Sequence, residues 1–176
     1  MTASNATFEP LKLSDFCDRI HVDEREVRYA LARGIVPKGM RKTPGRGNHR
    51  QFDARQSFWM AIVLRLKAAG VKTPLAGEIA KWSERVKEYA ANSGWDWKFS
   101  PFDGRLRTEK SWILEVGDAK FVRIVTNANP SAVGMTDVTK WVCMATKNID
   151  ASANPIVVVA VNLSELAKLL LGDRSV

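Results

Sequence analysis

The chain has 176 residues, 45% of them hydrophobic, enough for one folded domain or two small ones around a real apolar core. Its formal net charge is +8, so acidic partners such as nucleic acid are favoured before any motif is read. Two cysteines and two histidines cannot build a cysteine-rich zinc site or a disulfide framework, and no apolar run approaches the ~18 residues of a membrane span.

The N-terminus shows neither the cationic start nor the apolar stretch of a secretory signal. The expected location is therefore the cytoplasm or nucleoid, with no membrane partner, no metal and no other cofactor. The charge excess is local. Residues 25–55 carry nine basic side chains against Glu26 and Asp53 alone, the distribution of a binding footprint rather than of general solubility charge.

Residues 1–10 are expected to be a loose arm. Ser14 reads as the N-cap of a short helix with Leu13, Phe16, Cys17 and Ile20 on one stripe; Cys17 there is most simply a small core residue. After His21-Val22, Asp23 and Glu26 match a capping box and open a second helix. Val27, Ala30 and Leu31 form its buried stripe, Arg25, Arg28, Tyr29 and Arg33 lie on its open side, and Gly34 ends it. Two short helices across a tight turn are a helix-turn-helix unit whose second helix reads DNA.

A basic hairpin is expected next: Lys38 to Lys42 outward, Thr43 to Asn48 as the loop, and His49 to Phe52 returning. Pro44, Gly45 and Gly47 allow a tight turn that approaches a surface closely, and Lys38, Arg41, Lys42, Arg46 and Arg50 have no acid among them. Asp53 and Gln56 open a third helix with Phe58, Ile62, Leu66 and Ala69 on one face, widened by Trp59 and Val63, and Gly70 closes it. Thr73-Pro74 starts a fourth, expected to run to about Asn92 before Gly94.

Residues 11–82 resemble the winged helix-turn-helix DNA-binding domain of the MerR family. The matching pieces are Leu13-Ser14-Asp15-Phe16, Val22 followed by Val27-Arg28-Tyr29, Gly34-Ile35-Val36-Pro37, His49-Arg50-Gln51-Phe52-Asp53 and Leu66-Lys67 before Gly70-Val71. The resemblance implies that Arg28 and Tyr29 contact backbone and bases and that Arg50 grips phosphate. Departures are visible too. Ala30-Leu31 stands where the family has Tyr-Glu. His49 and Phe52 replace common tyrosines, which weakens phenol-to-phosphate hydrogen bonding. A stop at Gly94 and the lack of a cysteine loop argue against the family's coiled coil, metal sensing and operator untwisting.

Trp95, Trp97, Phe99 and Phe102 make residues 94–110 an aromatic-rich connector, a packed joint or a pocket wall. Beyond it, Trp112 to Val116 and Phe121 to Val125 read as a hairpin around Gly117-Asp118, with Glu115 and Asp118 as surface charges. Val138 to Ala145 is a third strand. The continuously apolar Pro155 to Val161 suggests an inner strand buried on both faces. Asn162 and Glu165 cap a last helix with Leu163, Leu166, Leu169 and Leu170 on one side and Leu171 beside them.

The expected fold class is thus α+β: residues 11–93 a winged helix-turn-helix domain with an extended last helix, and residues 111–176 a four-stranded antiparallel or mixed sheet with a C-terminal helix. The second module serves dimerisation, or partner or ligand binding. No phosphate loop, nucleophile elbow or other catalytic set is present, so an enzyme is not expected.

The expected function is that of a sequence-specific double-stranded DNA-binding transcriptional regulator, acting as a homodimer or cooperative array, with RNA polymerase or another protein as a further partner. Arg25 and Arg28 are candidates for reading guanine edges, and Arg41, Lys42, Arg46 and Arg50 for neutralising phosphates. Ser14, Tyr29, Arg33, Lys38, Asn48 and His49 complete the contact set. The alternatives are an architectural or excisionase-like phage protein that bends or coats DNA, a ligand-binding module addressed to DNA, and an adaptor for an acidic protein.

Overall fold

The computed structural model describes residues 8–37, 39–40, 50–81, 112–126, 140–146 and 148–172. Over these the fold is α+β, with five helices and two small antiparallel sheets.

Strand β1 (Leu11–Lys12) runs directly into helix α1 (Leu13–Ile20). Lys12 occupies the N-cap and makes no side-chain cap bond, so Ser14 is not the cap that its residue type suggested. It lies within the first turn, where its hydroxyl reaches only Asp15, at 3.4 Å. Phe16, Cys17 and Ile20 are buried as expected. His21 ends α1 in the left-handed region, φ 52°, a conformation that is costly for any residue but glycine.

Helix α2 (Glu24–Ala32) follows after a three-residue turn. Asp23 caps it by accepting the Arg25 N–H at 2.7 Å. The expected return bond from Glu26 is replaced by an ion pair between Glu26 and Lys67. Gly34, at φ 79°, closes the helix.

The strand returning from the basic segment, β2 (Gln51–Phe52), pairs antiparallel with β1: Leu11 opposite Phe52 and Lys12 opposite Gln51. The N-terminal segment is therefore tied down from Leu11 onward. Phe52 is fully buried and stacks on Phe16, ring centroids 4.8 Å apart, a pair worth ~0.5–1.5 kcal/mol beyond its burial. It anchors β2 to α1. Of the expected outward strand, Lys38 to Lys42, Gly39 and Met40 are described and form a turn instead, the Met40 N–H on the Pro37 carbonyl and Gly39 at φ 82°; residues 41–49 lie outside the described residues.

Helix α3 (Ala54–Ala68) carries the complete capping box, Asp53 and Gln56 each accepting the other's backbone N–H. It is buried nearly all round, at Gln56 through Leu64 and at Leu66, as befits the central helix of a core rather than an amphipathic surface one. Ala69, expected on its inner face, is an exposed C-cap. Helix α4, described over residues 73–81, opens one residue earlier than a Thr73 cap would have it, with the Ala76 N–H on the Lys72 carbonyl.

In the second half β3 (Trp112–Gly117) and β4 (Phe121–Thr126) form the expected hairpin. Asp118 and Ala119 both have positive φ and the Lys120 N–H meets the Gly117 carbonyl, a type I′ turn that matches strand twist. The third strand shortens to β5 (Val142–Cys143) among the described residues. The apolar run ends in β6 (Val158–Asn162), and the strand order β5-β4-β3-β6 puts it at the sheet edge, not inside. Register explains its alternation. Val159 and Val161 lie level with Val116 and Leu114 on the inner face, while Val158, Ala160 and Asn162 share the outer one.

Helix α5 (Leu163–Leu171) starts on Asn162, whose side chain accepts the Glu165 N–H at 3.1 Å. Its buried stripe is Leu163, Leu166, Ala167 and Leu170, with Leu169 only half-buried. The helix packs against α1 and α3, so both halves contribute to one continuous apolar cluster. Arg19 of α1 donates to the Leu170 carbonyl and so caps α5.

Candidate nucleic-acid interface

The site is built on α2. Val27 and Ala30 are fully buried and Leu31 nearly so, which fixes the helix's rotation about its axis. Arg25, Arg28, Tyr29 and Arg33 consequently all face solvent. Tyr29 is 46% exposed, unusual for so large a ring. Two cations frame it, the Arg33 guanidinium 5.1 Å and the Lys67 ammonium 5.0 Å from the ring centre, both within cation–π range.

Lys67 is the residue that the sequence did not point to. It lies on α3, 41 positions from its partner Glu26, and joins the α2 surface through Tyr29 and that carboxylate together. Arg65, two residues earlier, donates to the Ile20 carbonyl at 2.8 Å and caps α1. The first of these cations extends the exposed face and the second braces it.

The start of α2 is acidic. Asp23, Glu24 and Glu26 stand against Arg25, Arg28, Arg33 and Lys67, so this face alone has little net charge. Arg28 is held by Glu24 at 2.8 Å in a solvent-exposed i,i+4 pair. Beneath, burial and then the Glu24, Asp18 and Asp23 carboxylates push the Cys17 thiol up to about 11, which keeps it protonated and inert.

The structure thus brings Arg25, Arg28, Tyr29 and Arg33 onto one surface and leaves Ser14 exposed on the first turn of α1. Arg50 is half-buried immediately before β2. Lys38, Arg41, Lys42, Arg46, Asn48 and His49 fall outside the described residues.

Away from α2, the outer face of the four-stranded sheet carries a cross-strand pair, Arg123 to Glu115 at 2.7 Å, which makes Glu115 half-buried rather than a plain surface charge. Trp141 lies over the Arg123 guanidinium at 4.2 Å. A cleft of about 560 Å³ opens beside them, bounded by Lys140 and Asp150. Arg123, on that side, is engaged by both the Glu115 carboxylate and the Trp141 indole.

Among the described residues no three His, Cys, Asp or Glu side chains lie close enough to hold a metal ion, and no helix is long and apolar enough to cross a membrane. Comparison of the sequence with protein-family models and with curated proteins found no match.

Proposed function

We propose that this chain is a sequence-specific double-stranded DNA-binding regulator of winged helix-turn-helix type, with α2 as its reading helix and the basic segment 38–52 on the flanking backbone. One observation carries the reading: α2 buries Val27, Ala30 and Leu31 and turns Arg25, Arg28, Tyr29 and Arg33 outward across a three-residue turn from α1. The order of helix, turn, helix, basic segment and anchored return strand supports it.

The two parts divide the work. The α2 face is nearly neutral, so it contributes little through counterion release. It supplies discrimination instead. An exposed ion pair such as Arg28–Glu24 is worth roughly 0–1 kcal/mol. A bidentate arginine–guanine contact is worth ~1–3 kcal/mol of discrimination. Arg28 therefore exchanges partners on binding, and the freed Glu24 carboxylate can accept from a neighbouring cytosine amine. Lys38, Arg41, Lys42, Arg46 and Arg50 supply most of the affinity for phosphate, and with it the salt dependence.

The test is anisotropy titration against sites selected from a random duplex library, repeated across a salt series. Arg28→Ala should cost ~1–3 kcal/mol and relax specificity at one base position. Arg50→Ala should weaken binding to every sequence and flatten the salt slope by about one unit. If neither change alters affinity, the groove assignment is wrong. Long continuous protection without a preferred site would mark an architectural protein that coats DNA.

A further inference from the structure

We propose that strand β6, with the apolar turn before it, is a two-fold interface at which two copies of this chain join their four-stranded sheets edge to edge. The inference makes no use of DNA binding; it rests on the sheet alone.

β6 hydrogen-bonds to β3 on one side and to no described strand on the other. Ile156, Val157 and Val158 are 94%, 63% and 45% exposed, a consecutive apolar run at that open edge. Exposed apolar edges are normally blunted by lysine, proline within the strand, or a bulge, because they template pairing with another chain. Val158–Asn162 has none of these protections in its sequence or pairing.

The run is also held in place. The Asp118 carboxylate accepts the N–H groups of Ile156 at 3.1 Å and Val157 at 2.9 Å, and the Asp118 N–H donates to the Val157 carbonyl at 2.8 Å. Pro155 seats on Gly117, where an added Cβ would lie 2.3 Å from the proline ring. The backbone that presents these side chains is thus ordered before any partner arrives, which lowers the entropic cost of docking.

Charge selects the occupant. The chain carries +8 overall, so two copies repel unless they meet through a neutral surface. Residues 151–164 contain no charged residue. The opposite edge, β5, is already covered by its own chain, with Val142 bridged to Ile149 and the Cys143 and Asp150 N–H groups on the Asn148 and Trp141 carbonyls. Antiparallel pairing about a dyad sets each residue opposite the one equally far beyond the axis, so in a short strand charges of one sign come close to their copies. Such a pair requires a strand with no charge to confront its copy, and β6 meets that requirement.

Sedimentation or light-scattering mass of the full chain, without DNA at physiological salt, tests the inference. The expected mass is twice 19.6 kDa. The Val157→Lys/Val158→Lys variant, altered only at exposed positions, should fall to the single-chain mass with its circular dichroism and urea midpoint retained. Hydrogen exchange at β6 should slow with protein concentration in the parent and not in the variant. A parent that is monomeric at ~100 µM, far above a typical micromolar dissociation constant, overturns the proposal. So does a dimer that the paired lysines leave intact, or β6 protection independent of concentration, which would mean that the same chain covers its own edge. A monomer that still bound its DNA site would overturn the interface and spare the DNA reading.

Discussion

Helices α2 and α3 are each accompanied by three cations and are put to opposite uses. Each carries three cations or flanks them closely: Arg25, Arg28 and Arg33 for α2, Arg55, Arg65 and Lys67 for α3. In α2 the apolar stripe is narrow and the cations point to solvent. In α3 burial runs almost all round, and Arg65 and Lys67 are turned back onto α1 and α2. One helix is the prop and the other is what it props. The difference follows the apolar residues, a narrow stripe in α2 and a nearly continuous run in α3, and α2 also holds Glu24 and Glu26 where α3 has no acid.

Five changes would break or sharpen that contrast. The largest effect is expected in the prop. Ile62 is fully buried, and Ile62→Ala should cost ~2–5 kcal/mol of stability, read as a lowered urea midpoint at unchanged slope. Its DNA affinity, measured where the variant is still folded, should be nearly normal. Next comes the cap: Asp53→Ala removes one half of the box at the start of α3 and should cost ~0.5–2 kcal/mol.

On the presented helix the sign of the contrast reverses. Arg28→Ala should change the unfolding free energy by less than about 0.5 kcal/mol, since an exposed pair holds little stability, while DNA binding falls. Glu24→Gln should likewise leave stability nearly unchanged, yet relax discrimination at the one position where its carboxylate would accept from a cytosine amine. If Arg28→Ala unfolded the protein, α2 would be structural and not a reading surface.

The smallest effect at neutral pH belongs to Cys17. Its thiol titrates at about 11 in the fold, against an ordinary 9.0. The unfolded chain therefore loses this proton first as pH rises, and stability declines with pH between those two values. Below about 9 that contribution is complete and does not vary with pH. Comparing alkaline unfolding curves of Cys17→Ala with the parent isolates it: the variant should lack that part of the slope.

Much of the fold was legible where the signal is local. Asp53 with Gln56, Asn162 before Glu165, and Gly34 and Gly70 after apolar stripes each marked a helix end within a few residues. The alternation of residues 112–126 marked the hairpin. What was not legible depends on contacts between distant residues. A continuous apolar run such as Pro155 to Val161 has the same appearance at the centre of a sheet and at its edge, because periodicity does not report how many neighbours a strand has. Pairing of Leu11 with Phe52 rests on two-residue strands, too short to show a pattern. Ser14 follows the cap preferences of its residue type, but β1 continues straight into α1 and the cap position falls two residues earlier. For the candidate site, the outward set on α2 followed from helical spacing. Lys67 did not, since nothing in a linear reading links position 67 to Glu26 and Tyr29.

The bond from Arg19 to the Leu170 carbonyl spans 151 positions, and it has a consequence for how the protein is made. A ribosome adding ~5–20 residues per second needs roughly 8–30 seconds to travel from one residue to the other. For most of that interval α1 and α3 have been made and their faces toward α5 are bare. Leu163, Leu166 and Leu170 must arrive before the apolar sides of α1 and α3 are covered. The nascent chain thus spends most of its synthesis with α1, α2 and α3 on an incomplete base, a period in which ribosome-bound chaperones would find their substrate and in which slowing translation should lower the yield of folded protein.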